Sequence, residues 1–262
     1  MAMASGMLEH RMKPGERVLL WLSNDAEHVI APLAAAIAGI VVCYAPANAT
    51  ADQLGKLLDL VQPRMLIFNP TMRPDAVDVV RSLVPESADP ERHLRSIPWV
   101  SVRYPFLRRL WHTDPNEVYY GADGVVQTIA YMSEHYRINQ AARLFGADSP
   151  FCIQPDASLT KVTVYSHAAV VAAAQKAAAA IKLTEGDSVC VVDNGASVGG
   201  MVTGFLAAFS QGIPVVLPSK KYDAADASRA VADERCTVWH AAGSAAPAPT
   251  GLRLTQAQPV WS

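Results

Sequence analysis

Apolar positions along the chain come in two alternating rhythms. Short unbroken runs of Val, Leu, Ile and aromatic residues recur at 17–22 (RVLLWL), 40–45 (IVVCYA) and 64–69 (RMLIFN). Runs of that length and density read as strands buried on both faces. Amphipathic segments lie between them. Residues 25–39 are a predicted helix closed by Gly39. Residues 50–62 are another, with Thr50 as N-cap and Leu54, Leu57, Leu58 and Val61 on one stripe. A third, 74–84, carries Pro74 in its first turn.

The alternation weakens after residue 85. A stretch rich in Pro, Arg and aromatics reads as a linker, a strand near Trp99 to Val102, and a loop-rich excursion; 128–148 reads as helix. Regularity returns with strands at 151–154, 162–165, 188–193, 214–218 and 236–240, and helices at 167–182, 198–211 and 223–233. The predicted organisation has four parts. They are a first α/β unit (13–85), an irregular, partly helical connection (86–148), a second α/β unit (149–240) and an extended Ala/Pro-rich tail (241–262) that needs something to hold it. The fold class is α/β, with mainly parallel sheets flanked by helices.

Composition narrows the function classes. In 262 residues, 51% are hydrophobic and 18% charged, which marks a globular chain with apolar surface to spare for partners. A net charge of −2 gives no bulk attraction to nucleic acid. No apolar run reaches the ~20 residues of a membrane span, and no cleaved signal is visible at the N-terminus. Cys43, Cys152, Cys190 and Cys236 all lie in apolar runs without a CxxC pair, as buried free thiols do. The seven histidines show no ligand spacing, so no metal is expected. The segment 103–111 (RYPFLRRLW) is either a partner-contacting surface or a loop tucking its aromatics into the core. Trp111 and Trp239 read as core or interface anchors.

One stretch has the layout of a catalytic loop. FCIQPDASLTKVTVYSH (151–167) runs strand, polar turn, lysine, strand, then Ser166–His167 at the head of an alanine-rich helix. The candidate site positions are Thr160, Lys161, Ser166 and His167. Phosphate-cradling loops use glycines, whose positive φ lets successive backbone N–H groups converge on an anion. This turn has none. Pro155 removes a donor, and Asp156 sets a negative charge where phosphate would sit. NGASVGG (194–200) is a second glycine-rich turn before a helix, but it lacks phosphate-loop spacing, and tight packing explains its glycines equally well.

Two stretches resemble the adenylate-forming (AMP-binding, acyl-CoA synthetase-like) family. In 12–58 the matching residues are Pro14, Gly15, Arg17, Val18, Asn24, Glu27, Ala34, Ala35, Gly39, Pro46, Asn48 and Thr50. In 183–218 they are Gly186, Asp187, Val189, Gly200, Gly204, Ala207, Gly212, Val216 and Pro218. The family's phosphate loop reads I-Q-[YF]-T-S-G-[ST]-T-G-x-P-K-G, followed by a strand and a [ST]-H pair. Ile153–Gln154 and Ser166–His167 match its flanks, and Lys161 falls on its lysine. Every family glycine is gone, and Val162 replaces the last of them. Ser197 stands where the family often has a histidine.

The resemblance implies the N-terminal subdomains of an acyl-CoA synthetase, with the family's later adenine, ribose and C-terminal lysine regions not represented. From this the chain is expected to be a catalytically inactive relative without a cofactor. Thr160, Lys161, Ser166 and His167 would then be vestigial positions. Its expected role is that of a structural accessory subunit, bound to other protein subunits through 241–262 and 103–111. Analogy with enzyme-derived subunits points to a mitochondrial complex, with the cytoplasm as the other compartment. Two alternatives stay open: a fragment of an ATP-dependent carboxylate–CoA ligase, and an acyl- or CoA-binding module without chemistry.

Overall fold

A computed structural model describes residues 1–91, 97–129, 135–193, 196–242 and 247–255. The first sheet is built from β1 (Arg17–Trp21), β2 (Val41–Tyr44), β3 (Met65–Phe68), β4 (Arg109–His112), β5 (Asp123–Gly124), β6 (Pro150–Pro155) and β7 (Val162–Ser166). Their order is β5-β4-β3-β1-β2-β6-β7, parallel throughout except for the β6–β7 hairpin. β1 through β4 carry bulky apolar residues at successive positions because helices cover both faces.

One face is covered by α1 (Ala2–Glu9), α2 (Ala26–Ala38) and α7 (His167–Ala180). The other is covered by α3 (Ala51–Val61) and α4 (Ala76–Leu83). Caps set the ends of these helices. Asp25 accepts the His28 N–H at the start of α2, and Gly39 ends it in the left-handed region at φ 70°. Thr50 and Gln53 form a reciprocal capping box on α3. Two short helices, α5 (Val125–Ile129) and α6 (His135–Ala141), complete this half.

The second sheet holds β8 (Val189–Asp193), β9 (Val215–Val216), β10 (Val238–Ala241) and β11 (Arg253–Thr255) in the order β11-β10-β8-β9, all parallel. A continuous helical segment lies between the sheets. It comprises α8 (Val198–Gly200), a π-helical stretch (Met201–Leu206) and α9 (Ala207–Phe209). Met201 and Val202 pack into the core of the first sheet, Phe205 and Ala208 into that of the second. One helix layer therefore serves both sheets. The other face of the second sheet takes α10 (Ala224–Asp233), through Ala227.

Several sequence expectations are corrected. The predicted second unit, 149–240, is split: β6 and β7 complete the first sheet, because Val42 and Cys43 pair with Cys152 and Ile153 along an apolar edge. The strand expected near Trp99 lies instead at Arg109–His112, paired with β3. Within 103–111, Tyr104, Leu107, Leu110 and Trp111 are buried, so the core reading wins for Tyr104 and Trp111, while Arg103 is exposed and Phe106, Arg108 and Arg109 are half-buried. The predicted helix 128–148 leaves helical structure after Ala141, and residues 130–134 within it lie outside the described residues. The unpredicted α1 buries Met3, Met7 and Leu8 against the first sheet. The expected extended tail begins inside β10 and returns as β11 on the chain's own second sheet. What holds β11 is Arg253, which donates to the Ile181 and Lys182 carbonyls and pairs with Asp187. Residues 243–246 and 256–262 of the tail lie outside the described residues.

Candidate functional site

The β6–β7 turn is organised around one carboxylate. Asp156 Oδ1 accepts the backbone N–H groups of Thr160 at 2.8 Å and Lys161 at 3.0 Å. Its Oδ2 accepts the hydroxyls of Ser158 and, at 3.2 Å, Thr160. The Asp156 N–H donates to the Lys161 carbonyl at 3.0 Å, closing the hairpin, and the Leu159 N–H donates to the Asp156 carbonyl. Leu159 sits at φ 54°, in the left-handed region that glycine adopts at no steric cost and other residues uncommonly. The Ser158 hydroxyl, then the Lys161 and Thr160 amides, hold the Asp156 carboxyl well below the usual carboxylate range.

The donor set a phosphate would need is thus taken by a side chain of the loop itself. Asp156 puts its Oδ1 where the Thr160 and Lys161 N–H groups point, so an incoming anion must displace a carboxylate and meet its charge. Pro155, which has no N–H, lies at the β6 end of the turn, opposite Val162.

The four predicted positions are not brought together. Thr160 and Lys161 lie at the turn, while Ser166 and His167 lie at the far end of β7, roughly 16 Å away along an extended strand. Ser166 is the N-cap of α7, its hydroxyl accepting the Ala169 N–H at 3.2 Å. His167 packs between Phe145 and Phe151, with ring centroids 5.6 and 5.1 Å away, and burial lowers its pKa. The Lys161 side chain is exposed at the turn.

One concavity adjoins the turn and a second lies away from it. A cavity of about 350 Å³ is lined by Tyr44, Gln53, Leu57, Gln154, Asp156 and Ser197 among others. Gln154 accepts the Val198 N–H at 3.1 Å, and Ser197 caps α8 by accepting the Gly200 N–H. The start of α8 is therefore satisfied by protein groups. Of the glycine-rich turn 194–200, Asn194 and Gly195 lie outside the described residues. A second cleft, about 370 Å³, opens between the sheets beside Asn24, Asn48, Asp193, Lys220, Lys221 and Tyr222. Asn24 spans the two sheets there, donating to the Val191 and Ser219 carbonyls.

Sequence reasoning missed a buried polar cluster under that cleft. The Ser23 hydroxyl and the Asn69 amide both donate to Asp25 at 2.7 Å, and Asn69 also donates to the Ser23 hydroxyl. Nothing local marks these residues, since 44 positions separate Asn69 from Asp25 and only the β1–β3 pairing joins them. His28, one turn into α2, is fully buried against Tyr44 at 5.1 Å, and burial lowers its pKa to about 4. His240 is likewise buried and lowered to about 4, with its ring close against Gly204. Among the described residues no group of His, Cys, Asp and Glu could hold a metal ion. No helix among them is long and apolar enough to cross a membrane.

Comparison with known proteins agrees with this architecture. No curated protein sequence matches the chain. Among solved structures, a benzoate CoA ligase from Burkholderia xenovorans LB400 superposes with a TM-score of 0.70 at 19% identity, covering 97% of this chain and 47% of the ligase. The N-terminal domain of FACL13 from Mycobacterium tuberculosis gives 0.70 at 17% identity, covering 92% and 54%. A red-emitting luciferase from Phrixothrix hirtus gives 0.66 at 14%, covering 91% and 43%. The chain spans about half the length of the solved structures it matches. At these identities the likeness establishes the fold, that of the N-terminal part of adenylate-forming enzymes. The family described as AMP-binding enzyme matches residues 1–139, more than half of the 262, and the chain belongs to it.

Proposed function

We propose that this AMP-binding family member does not bind nucleotide phosphate through its β6–β7 turn and acts as a non-catalytic accessory protein of a larger assembly. One observation carries the reading: Asp156 occupies the Thr160 and Lys161 amides that an anion would need. Adenylation requires preorganised donors aimed at developing charge on the phosphate, and this turn aims a carboxylate there instead. The accessory role is supported by exposed apolar side chains such as Leu144, Val164 and Val171. A mitochondrial location remains part of the proposal by analogy alone and is checked by tagging the full protein.

ATP–pyrophosphate exchange with a panel of aryl and fatty carboxylic acids, run beside thermal shift with ATP and AMP, tests the reading. No exchange and no stabilisation above that given by an unrelated anion is expected. Asp156→Ala frees two amides and one steric position, so weak inorganic phosphate binding should appear in the variant alone. Exchange by the wild-type chain that Lys161→Ala abolishes would overturn the proposal.

A second reading has its own support. The matched solved structures include CoA ligases of which this chain covers about half. On that reading it supplies the N-terminal part of a carboxylate–CoA ligase, with the remaining groups contributed by further polypeptide. Exchange activity gained only on adding that polypeptide separates the two.

A further inference from the structure

β7 ends the seven-stranded sheet, and among the described residues no strand pairs with its outer side. Exposed edges in native proteins are usually blunted by charge, proline or a bulge. Val162–Ser166 carries neither charge nor proline, and its only register irregularity lies at Pro150–Cys152 in the neighbouring strand.

The hydrogen-bond phase of this edge follows from the hairpin. Asp156 donates to the Lys161 carbonyl, so Gln154↔Thr163 and Cys152↔Tyr165 continue the bonded pairs of an antiparallel ladder. Pro155↔Val162 and Ile153↔Val164 are the non-bonded pairs, consistent with the missing proline N–H. The N–H and C=O groups of Val162 and Val164 therefore point outward, away from β6, and Ser166 has the same phase.

Two exposed valines lie along the edge, Val162 at 39% and Val164 at 51%, on the sheet face opposite α7; Val171 (54%) and Leu144 (72%) are exposed on the α7 side. The stacking of Phe145 on His167, and the Ala168 N–H bond to the Ala147 carbonyl, bring the 144–148 loop against the first turn of α7. The two ends of the edge strand carry opposite charges. Lys161 precedes β7 at one end. Asp148 lies beside its Ser166 end, two residues before Pro150, which pairs with Ser166.

We propose that β7 pairs with β7 of a second copy of this chain, antiparallel about a two-fold axis at Val164, joining two seven-stranded sheets into one. A second copy is complementary to this edge in backbone phase and in end charge. The two-fold sets Val164 opposite Val164 and Val162 opposite Ser166; because the Ser166 carbonyl is taken by the first turn of α7, this gives four inter-chain hydrogen bonds. It also carries each Lys161 to the partner end where Asp148 lies, and it covers the valines. This inference is independent of whether the turn binds nucleotide.

Sedimentation equilibrium of the purified chain is expected to give twice the monomer mass. Val164→Lys places two ammonium groups face to face at the axis and should raise the dimer dissociation constant by roughly tenfold or more. Because Val164 is half exposed, thermal melting of that variant as a monomer should be unchanged, separating lost pairing from lost folding. Lys161→Glu or Asp148→Lys alone should weaken the dimer, and the two together should restore it. The four native cysteines are buried, so Val164→Cys should cross-link to itself with a short bis-maleimide while Val102→Cys, 87% exposed as valine, should not. A monomer at tens of micromolar overturns the proposal, as does a dimer insensitive to Val164→Lys or a double charge swap without rescue.

Discussion

Replacing Asp187 by alanine should unfasten the second sheet. Asp187 lies at the turn before β8 and is 7% exposed. It accepts the Thr184 N–H at 2.7 Å and hydroxyl at 3.0 Å, the Thr237 hydroxyl at 2.7 Å, and an Arg253 N–H. Those partners come from the α7–β8 turn, the approach to β10, and β11. Hydrogen bonds to charged groups contribute about 1.5–3 kcal/mol each where buried. The Arg253 contact counts for less, since that side chain is 41% exposed and keeps two carbonyl partners. Returning a buried carboxylate's desolvation offsets part of the loss, leaving about 3 kcal/mol. For a chain of this size that corresponds to a melting shift of roughly 6–12 °C. Urea unfolding followed by tryptophan fluorescence reports it, because Trp239 is buried in the same sheet. The pH dependence has a definite sign. Burial pushes the Asp187 carboxyl up, but the Arg253, Thr237 and Thr184 bonds outweigh it and hold the folded pKa below the unfolded value of about 3.9. The contribution is therefore full above that value and lost as pH falls through the folded pKa. The gap between wild type and Asp187→Ala should be constant from pH 7 to 5 and close below about pH 4. A gap under about 1 kcal/mol, or one that persists undiminished at pH 2, would refute the argument.

Other positions give shorter tests. Gly39→Ala should destabilise by about 2–4 kcal/mol in urea unfolding: its φ is 70°, and a Cβ would stand 2.4 Å from the Phe145 ring. A change below about 1 kcal/mol would show that Phe145 moves freely. His28 and His240 are buried with pKa values lowered from about 6.5 to about 4. The unfolded chain binds their protons first, so stability should fall as pH drops from 6.5 toward 4, by up to about 3 kcal/mol for each. Asp25 and Asp193 act on His28, and Asp193 on His240, in the opposing direction. His28→Leu should flatten the profile in chemical denaturation, and an unchanged profile would place the acid sensitivity elsewhere.

The parallel strands were legible because burial on both faces writes one unbroken apolar run per strand. β1, β2, β3 and β8 all fall within the runs that periodicity marks. The misses share a cause. β4 is four residues, RLWH, preceded by arginines whose charge masks the run. β11 is three residues and gains its pairing from β10 and its anchor from Asp187, 66 positions away in sequence. α1 has no capping signal, and only its packing against α2 and the first sheet accounts for it. The turn at 155–161 was legible as glycine-free and acidic. That its aspartate accepts the loop's own amides was not, since that depends on the backbone path through Leu159 at positive φ.

The retained flanks of that turn have local reasons to stay. Gln154 satisfies the Val198 amide, Ser166 caps α7, and His167 fills the space between Phe145 and Phe151. Each interaction persists whether or not a phosphate is present. Removing any one would leave an open helix end or a gap between packed rings. The turn between them closes the hairpin around a self-capped aspartate, Asp156, which accepts the Thr160 and Lys161 amides. A match at the flanks therefore reports the fold. The chemistry has to be read from where the Thr160 and Lys161 amides point and what already fills that place.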